Sequence, residues 1–179
     1  MTAKLVTPGE EYLQSYLDAC RGFKSHNVTL FILDDPDTFD EWRYSIFKKL
    51  EDQRLGIGLP EGYVPASTFW LVENGEFIGV GNIRHRLNEN LERFGGHIGY
   101  AIRYDKWGLS YGTLQLRLLL EKAAELKIER ALITCNEDNA ASSRVIEKNG
   151  GVYQDTIDNV IDNVPHRTKR YWVKTPILC

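Results

Sequence analysis

Two short polar constellations stand out as able to do chemistry. The first is the turn Trp107-Gly108-Leu109-Ser110-Tyr111-Gly112-Thr113, which follows a strand-like run ending near Arg103 and leads into a long helical pattern. Small residues in such a turn let a ligand approach the backbone closely. The first turn of the helix adds unpaired N–H groups at the positive end of its dipole. Together these features hold phosphate or pyrophosphate, although a turn of this kind is also simply how a helix begins. The second constellation is Asn139-x-x-Ser142 followed by Glu147-Lys148-Asn149-Gly150. It brackets a short helix, with Asn139 as its cap and Asn149-Gly150-Gly151 as its stop. Cys20, Cys135 and Cys179 are far apart and odd in number, with neither metal-ligand spacing nor a redox pair, so they read as reduced thiols.

The elements that must position these residues can be read along the chain. Lys4 to Val6 reads as a short strand and Glu10 to about Cys20 as a helix. Gly22 to Pro36 has no clear period. Asp37 to about Arg54 reads as a second helix, with Asp37 at its cap and Phe39, Trp42, Ile46, Phe47 and Leu50 as an apolar stripe. Gly56 to Ser67 is a Gly- and Pro-rich loop. Phe69 to Glu73, the turn Asn74-Gly75 and Phe77 to Arg86 make a hairpin. After a polar connection from Leu87 to Arg93, Gly95 to Arg103 adds a third antiparallel strand. A helix from Tyr111 to about Lys127 carries Leu116, Leu119, Leu120 and Ala123 on one face. Arg130 to Cys135 is a strand of the buried kind, and Asn139 to Lys148 a helix. Val152 to Thr156 and Arg167 to Lys174 are the last strands, joined by a polar loop around Asp158 to Pro165. This order, with no internal repeat or linker, predicts one α/β domain with a mixed sheet over residues 1–179.

Composition narrows the function classes. The chain's 179 residues suffice for one domain with a sizeable core. A net charge of −3 gives no basic field to hold nucleic acid or an anionic membrane. No apolar run is long enough to span a bilayer, and the N-terminus lacks the apolar centre of a signal peptide, so a cytoplasmic protein is expected.

Taken together, correctly spaced and on the right elements, the two constellations resemble the GNAT superfamily of acetyl-CoA-dependent N-acetyltransferases. Members carry Q/R-x-x-G-x-G/A before the long helix, and the ribosomal-protein N-terminal acetyltransferase branch often has W-G-x-G-Y-A/G. This chain keeps Trp107, Gly108, Tyr111 and Gly112, with Ser110 in place of a glycine. Asn139, Ser142 and Glu147 to Gly150 match N-x-x-S/A…E-K-x-G. The resemblance covers roughly residues 69 to 156. It implies a mostly antiparallel sheet of about seven strands, split between the fourth and fifth and flanked by about four helices, with acetyl-CoA in the split and no metal. It implies that pantetheine pairs with the backbone near Ile102. Pyrophosphate would sit on the N–H groups of Leu109, Ser110, Tyr111, Gly112 and Thr113. Asn139 and Ser142 would approach the pantetheine arm or the acetyl end, and Lys148 or Arg144 the nucleotide phosphates.

The resemblance also frames the proton chemistry. A lysine-like amine with a pKa of about 10.4 is almost wholly protonated at neutral pH, so acyl transfer gains from a base. Several members place a Glu on the strand before the turn, and His97 occupies that position here; an imidazole suits the task. The other role for a strand histidine is a hydrogen-bonded structural one. The Tyr that many members use to reprotonate the CoA thiolate falls at Ile146, which cannot donate a proton. Ser142 and Tyr111 are conceivable donors. Cys135 reads as a core thiol, and direct transfer is the family's usual route. The acceptor site should be bordered by residues 22–36 and 56–68, with Trp70, Arg84 and His85 nearby, although Trp70 and Trp42 read more readily as core residues. Arg84 and His85 alternate on a strand, so only one faces the cleft. The expectation is an N-acetyltransferase acting on a primary amine of a small molecule or peptide. The alternative is a non-catalytic acyl-CoA-binding sensor, and a homodimer is open in either case.

Overall fold

The computed structural model describes residues 2–25, 46–161 and 164–177. Along these run β1 (Lys4–Val6), α1 (Leu13–Ser25), α2 (Ile46–Leu55), β2 (Ala66–Glu73), β3 (Glu76–Arg84), α3 (Glu89–Arg93), β4 (Ile98–Ile102), α4 (Tyr111–Glu125), β5 (Arg130–Asn136), α5 (Ala140–Lys148), β6 (Val152–Ile161) and β7 (Val164–Lys174). The expected cap Asp37, the stripe residues Phe39 and Trp42, the stretch 26–36 and Cys179 lie outside the described residues. No helix among the described residues is long and apolar enough to cross a membrane.

The strands form two hydrogen-bonded sheets, ordered β1-β2-β3-β4 and β5-β7-β6, with every pair antiparallel. The expected single sheet is thus two, of four and three strands, parted where the break was expected, between β4 and β5. They touch at one end. His97, just before β4, donates its N–H to Leu132 O at 2.7 Å, and Leu132 N–H donates back to His97 Nδ1 at 3.0 Å. Gly96 permits this approach: its φ is +58°, and a Cβ there would lie 2.4 Å from Leu132 O. Beyond the joint no ladder forms between β4 and β5.

Alternation along β3 and β4 feeds two cores. Ile83 and Ile98 pack with the α4 stripe Leu116, Leu119, Leu120 and Ala123, and with Ile133 and Val173 of the second sheet. On the other face Val80 and Trp70 pack against Leu13 and Tyr16 of α1, with Tyr16 and Trp70 ring centroids 4.4 Å apart. Trp70 is fully buried there, a core residue and not part of an acceptor site.

Two polar stretches carry more structure than their composition suggests. Residues 89–93 form α3, with Asn88 Oδ1 accepting the Leu91 N–H at 2.9 Å. Such a helix is too short to stand alone. Asn159 Nδ2 and Arg170 Nη1, from the β6–β7 hairpin, hold it by donating to the carbonyls of Arg93 and Glu92. The β6–β7 ladder likewise pairs Asp158–Ile161 with Val164–Arg167, within the expected loop, where pairing and the Asp155–Arg170 ion pair outweigh local composition.

Candidate active site

The turn before α4 has the geometry of an anion cradle. Gly108 and Ser110 have φ of +78° and +65°. Ser110 thus adopts the left-handed conformation its place demands, at a cost of roughly 1–2 kcal/mol for a residue with a Cβ. Leu114 N–H, the first to bond backward, reaches Ser110 O at 3.2 Å. The N–H groups of Tyr111, Gly112 and Thr113 therefore lead the helix. A Cβ on Gly112 would lie 3.3 Å from Val145 Cγ2 and 3.9 Å from Ile102 Cγ1, so glycine lets α4, α5 and the end of β4 meet here. Tyr111 Oη donates to Glu73, which anchors α4 to the end of β2; that carboxylate raises the phenol's pKa and makes Tyr111 a poor proton donor. Arg144 and Lys148 are exposed on α5.

The edge of β4 facing the split is open. In the β3–β4 ladder Arg103 N–H donates to Ile78 O at 2.9 Å. The alternation then turns the N–H and C=O groups of Ile98, Tyr100 and Ile102 toward the split. Trp107 Nε1–H takes Ile102 O at 2.7 Å, so the turn's own indole closes one end of this edge. The expected pairing at Ile102 is therefore confined to its N–H, and both groups of Tyr100 continue the free edge. An amide-bearing chain fits those groups, and phosphates fit the adjoining helix terminus.

Behind the edge, Tyr100 Oη reaches across to Ser142 Oγ on α5 at 3.1 Å. Burial pushes the Tyr100 pKa up to about 12. Asn139 Oδ1 accepts the Ser142 N–H at 2.9 Å, as a cap should, which fixes the serine's place. Cys135 Sγ sits 3.5 Å from Ser143 Oγ, and burial raises its pKa, which keeps it a thiol. The sequence reading missed Tyr100, whose partner lies forty-two residues away, so nothing local named it.

His97 is not arranged as a base. Its Nδ1 accepts the Leu132 N–H, and a backbone N–H can only donate, so the ring hydrogen must lie on Nε2. That tautomer has no lone pair left for an amine's proton. Burial, and secondarily the charge of Arg84, lowers the pKa to about 4. The structural role, not the general base expected from the resemblance, matches this geometry.

In front of the sheets lies an open cavity of about 1420 Å³, bordered by α2, residues 57–64, the end of β3, α3 and the β6–β7 hairpin. Asn82 and Arg84 of β3 line it. His85 turns the other way, its Nε2 2.8 Å from Ser67 Oγ. The alternation thus resolves in favour of Arg84. Among the described residues no group of three or more His, Cys, Asp or Glu side chains is placed to hold a metal ion.

The acetyltransferase (GNAT) domain model matches residues 21–152 of the chain. Several solved structures share the fold. The Salmonella typhimurium acetyltransferase that modifies the N-terminal serine of a 50S ribosomal subunit protein superposes with a TM-score of 0.68 at 18% identity, over 97% of this chain and 95% of that one. Mycobacterium smegmatis RimJ, in complex with CoA-disulfide, gives 0.73 at 16% identity, over 96% and 81%. MccE, a microcin self-immunity acetyltransferase bound to acetyl-CoA and AMP, gives 0.69 at 14% identity, over 96% and 92%. By sequence, no curated protein matches the chain.

Proposed function

Because the chain belongs to the GNAT acetyltransferase family, it is an acyl-CoA-dependent N-acetyltransferase, and we propose that it transfers the acetyl group of acetyl-CoA directly to an α-amine, at a peptide N-terminus or on a small molecule. Residues 1–179 act in this reading as one acetyltransferase domain. Bound acetyl-CoA supplies the activated thioester. The N–H groups of Leu109 to Thr113 hold its phosphates, with Lys148 or Arg144 near the nucleotide, and Tyr100 and Ile102 pair its amides. The free edge runs from the cradle back toward the His97 joint, which brings the acetyl end beside Gly99, Tyr100 and Ser142. There one hydroxyl of the Tyr100–Ser142 pair donates to the other, and the remaining proton of the pair donates a hydrogen bond toward the departing sulfur. Neither is acidic enough to give up its proton outright, so their contribution is to stabilise developing negative charge.

The observation that carries the α-amine is the engaged Nδ1 of His97. A lysine-like amine gains most from a base, and His97, the base the resemblance offers among the described residues, is committed to the joint. An α-amine with a pKa of about 8 is already partly neutral and can react without one. The fold neighbour that modifies an N-terminal serine agrees with this choice. The test compares peptides with a free N-terminus and no lysine against N-blocked peptides carrying one lysine, following thiol release from acetyl-CoA. Free N-termini should react at least tenfold faster, about the ratio that two units of pKa allow once nucleophilicity is counted. Equal rates would overturn the α-amine assignment.

A further inference from the structure

The cavity at the end of β3 is more basic than the chain around it. The chain has a net charge of −3, yet among the described residues the two carboxylates lining the cavity are paired, Asp52 with Lys48 and Asp158 with Arg167. Among the described residues, two guanidiniums on the wall have only carbonyl partners. Arg84 Nη1 donates to Gly95 O at 2.9 Å and Gly96 O at 3.2 Å, and Arg93 Nη2 donates to Asp158 O at 3.1 Å. Carbonyls accept hydrogen bonds but leave the charge uncompensated. Arg84 is half-buried at the end of β3, and burial lowers its pKa from the ordinary value, as happens to a cation short of a counter-charge. A guanidinium stays protonated even so. Among the described residues its Nε–H and remaining Nη hydrogens meet no acceptor, and the two glycine carbonyls hold Nη1 in place. This is a prepared receptor for a planar anion.

Its position sets the distance. Arg84 lies two residues along β3 from Asn82, which pairs with Gly99 beside the expected acetyl end. Two strand residues span about 7 Å, the reach of about two peptide residues.

We propose that the acceptor carries a carboxylate about two residues from its reactive amine, and that Arg84 binds it while Arg93 adds charge at the rim. The inference rests on the proposed function and on the acceptor reaching the acetyl end through this cavity, on whose wall Asn82 and Arg84 stand. The carboxylate can be an acidic side chain near a peptide N-terminus or the terminal carboxylate of a short peptide, and the experiment separates the two. One arm uses amidated alanine pentapeptides with a single aspartate, or its isostere asparagine, at the second or third position. The other uses trialanine as free acid and as amide. Each is followed by thiol release with acetyl-CoA and by calorimetry on CoA-saturated protein. The charged member of at least one pair should be favoured by about tenfold or more in kcat/KM or Kd, the size expected for a charge-assisted hydrogen bond. Arg84→Gln should reduce that preference to about twofold or less without changing acetyl-CoA affinity, and Arg84→Lys should keep part of it. Arg84 also holds Gly95 and Gly96, so melting curves accompany both variants, and the wild-type comparison stands if neither folds. Wild type that treats charged and neutral partners alike, or binds no anionic peptide, overturns the proposal. Failure of acetyl-CoA itself to bind would instead strike at the cosubstrate reading on which the proposed function stands.

Discussion

Replacing His97 separates the joint from the general base. In His97→Ala the buried Leu132 N–H loses its acceptor, which costs about 1–3 kcal/mol, and the lost ring leaves a void that adds about 1 kcal/mol. For a chain of this size that is a fall in Tm of roughly 5–12 °C. His97→Asn puts a carbonyl oxygen near the place of Nδ1 and should recover most of the loss. The two roles also differ in pH dependence. The folded ring has its pKa lowered to about 4 from an ordinary 6.5. A depressed folded pKa means stability that is present above pH 6.5 and lost as pH falls through about 4. At about 1.4 kcal/mol per pKa unit the ceiling is about 3 kcal/mol, and solvent screening from the split reduces it to roughly 1–2 kcal/mol. Asn cannot titrate, so the difference in stability between wild type and His97→Asn should shift by that amount in favour of Asn between pH 7 and pH 4. Differencing the two proteins cancels the carboxylates that also titrate there. The assay is urea unfolding across that range, paired with turnover at neutral pH. His97→Asn should keep turnover within about tenfold of wild type, whereas loss of a base costs about a hundredfold or more. A well-folded, acetyl-CoA-binding His97→Asn that has lost a hundredfold in rate would refute the joint and restore the base.

Three further outcomes test the other half of the site. Acetyl-CoA should raise Tm in wild type, and Gly112→Asp, which sets a carboxylate at the leading N–H groups and crowds Val145, should abolish most of that shift while circular dichroism stays native; an unchanged shift would move the phosphates elsewhere. Ser110→Gly relieves left-handed strain but loosens the unfolded chain, for a net gain of about 0.5–1 kcal/mol and a Tm rise of roughly 1–4 °C, and a lower Tm would mean the serine side chain has a role not seen here. Tyr100→Phe and Ser142→Ala should each lower kcat by about tenfold or more with acetyl-CoA affinity little changed, and the double variant should cost no more than the worse single one because the hydroxyls act as one unit; additive losses would show that they act separately.

Local signals carried much of this molecule. The α4 stripe, the Asn139 cap and the Gly150 stop follow from helix periodicity and terminus chemistry, and each stands where it was expected. The break between the fourth and fifth strands came from the resemblance, but the joint that limits it did not. Gly96 and His97 look like ordinary strand residues until Leu132, thirty-five positions on, supplies the partner. The same holds for Tyr100 with Ser142, and for α3, whose last carbonyls are held by a hairpin more than sixty residues away. Composition misled at 158–165 because an edge hairpin can be polar on both faces and still pair. Alternation stated that only one of Arg84 and His85 could face the cleft; the side each takes is decided by Ser67 and by the glycine carbonyls.

An open strand edge invites unwanted pairing, and proteins keep such edges short or covered. Here two side chains do the trimming. Trp107 occupies Ile102 O at one end, and His97 ties the backbone to Leu132 at the other. About three residues of β4 remain between them, roughly 10 Å of unpaired backbone. That is too short to template a strand from another chain, yet long enough for the few amide groups of an extended small-molecule arm. The conversion of a candidate base into a joint is part of the same arrangement. Holding the sheets together at the closed end fixes how far the edge extends, and under the proposed function where the acetyl end stops relative to Ser142 behind it and Arg84 in front. A histidine in that place works by its acceptor atom and its bulk, and under the proposed function the chemistry falls to an amine that is partly neutral without a base.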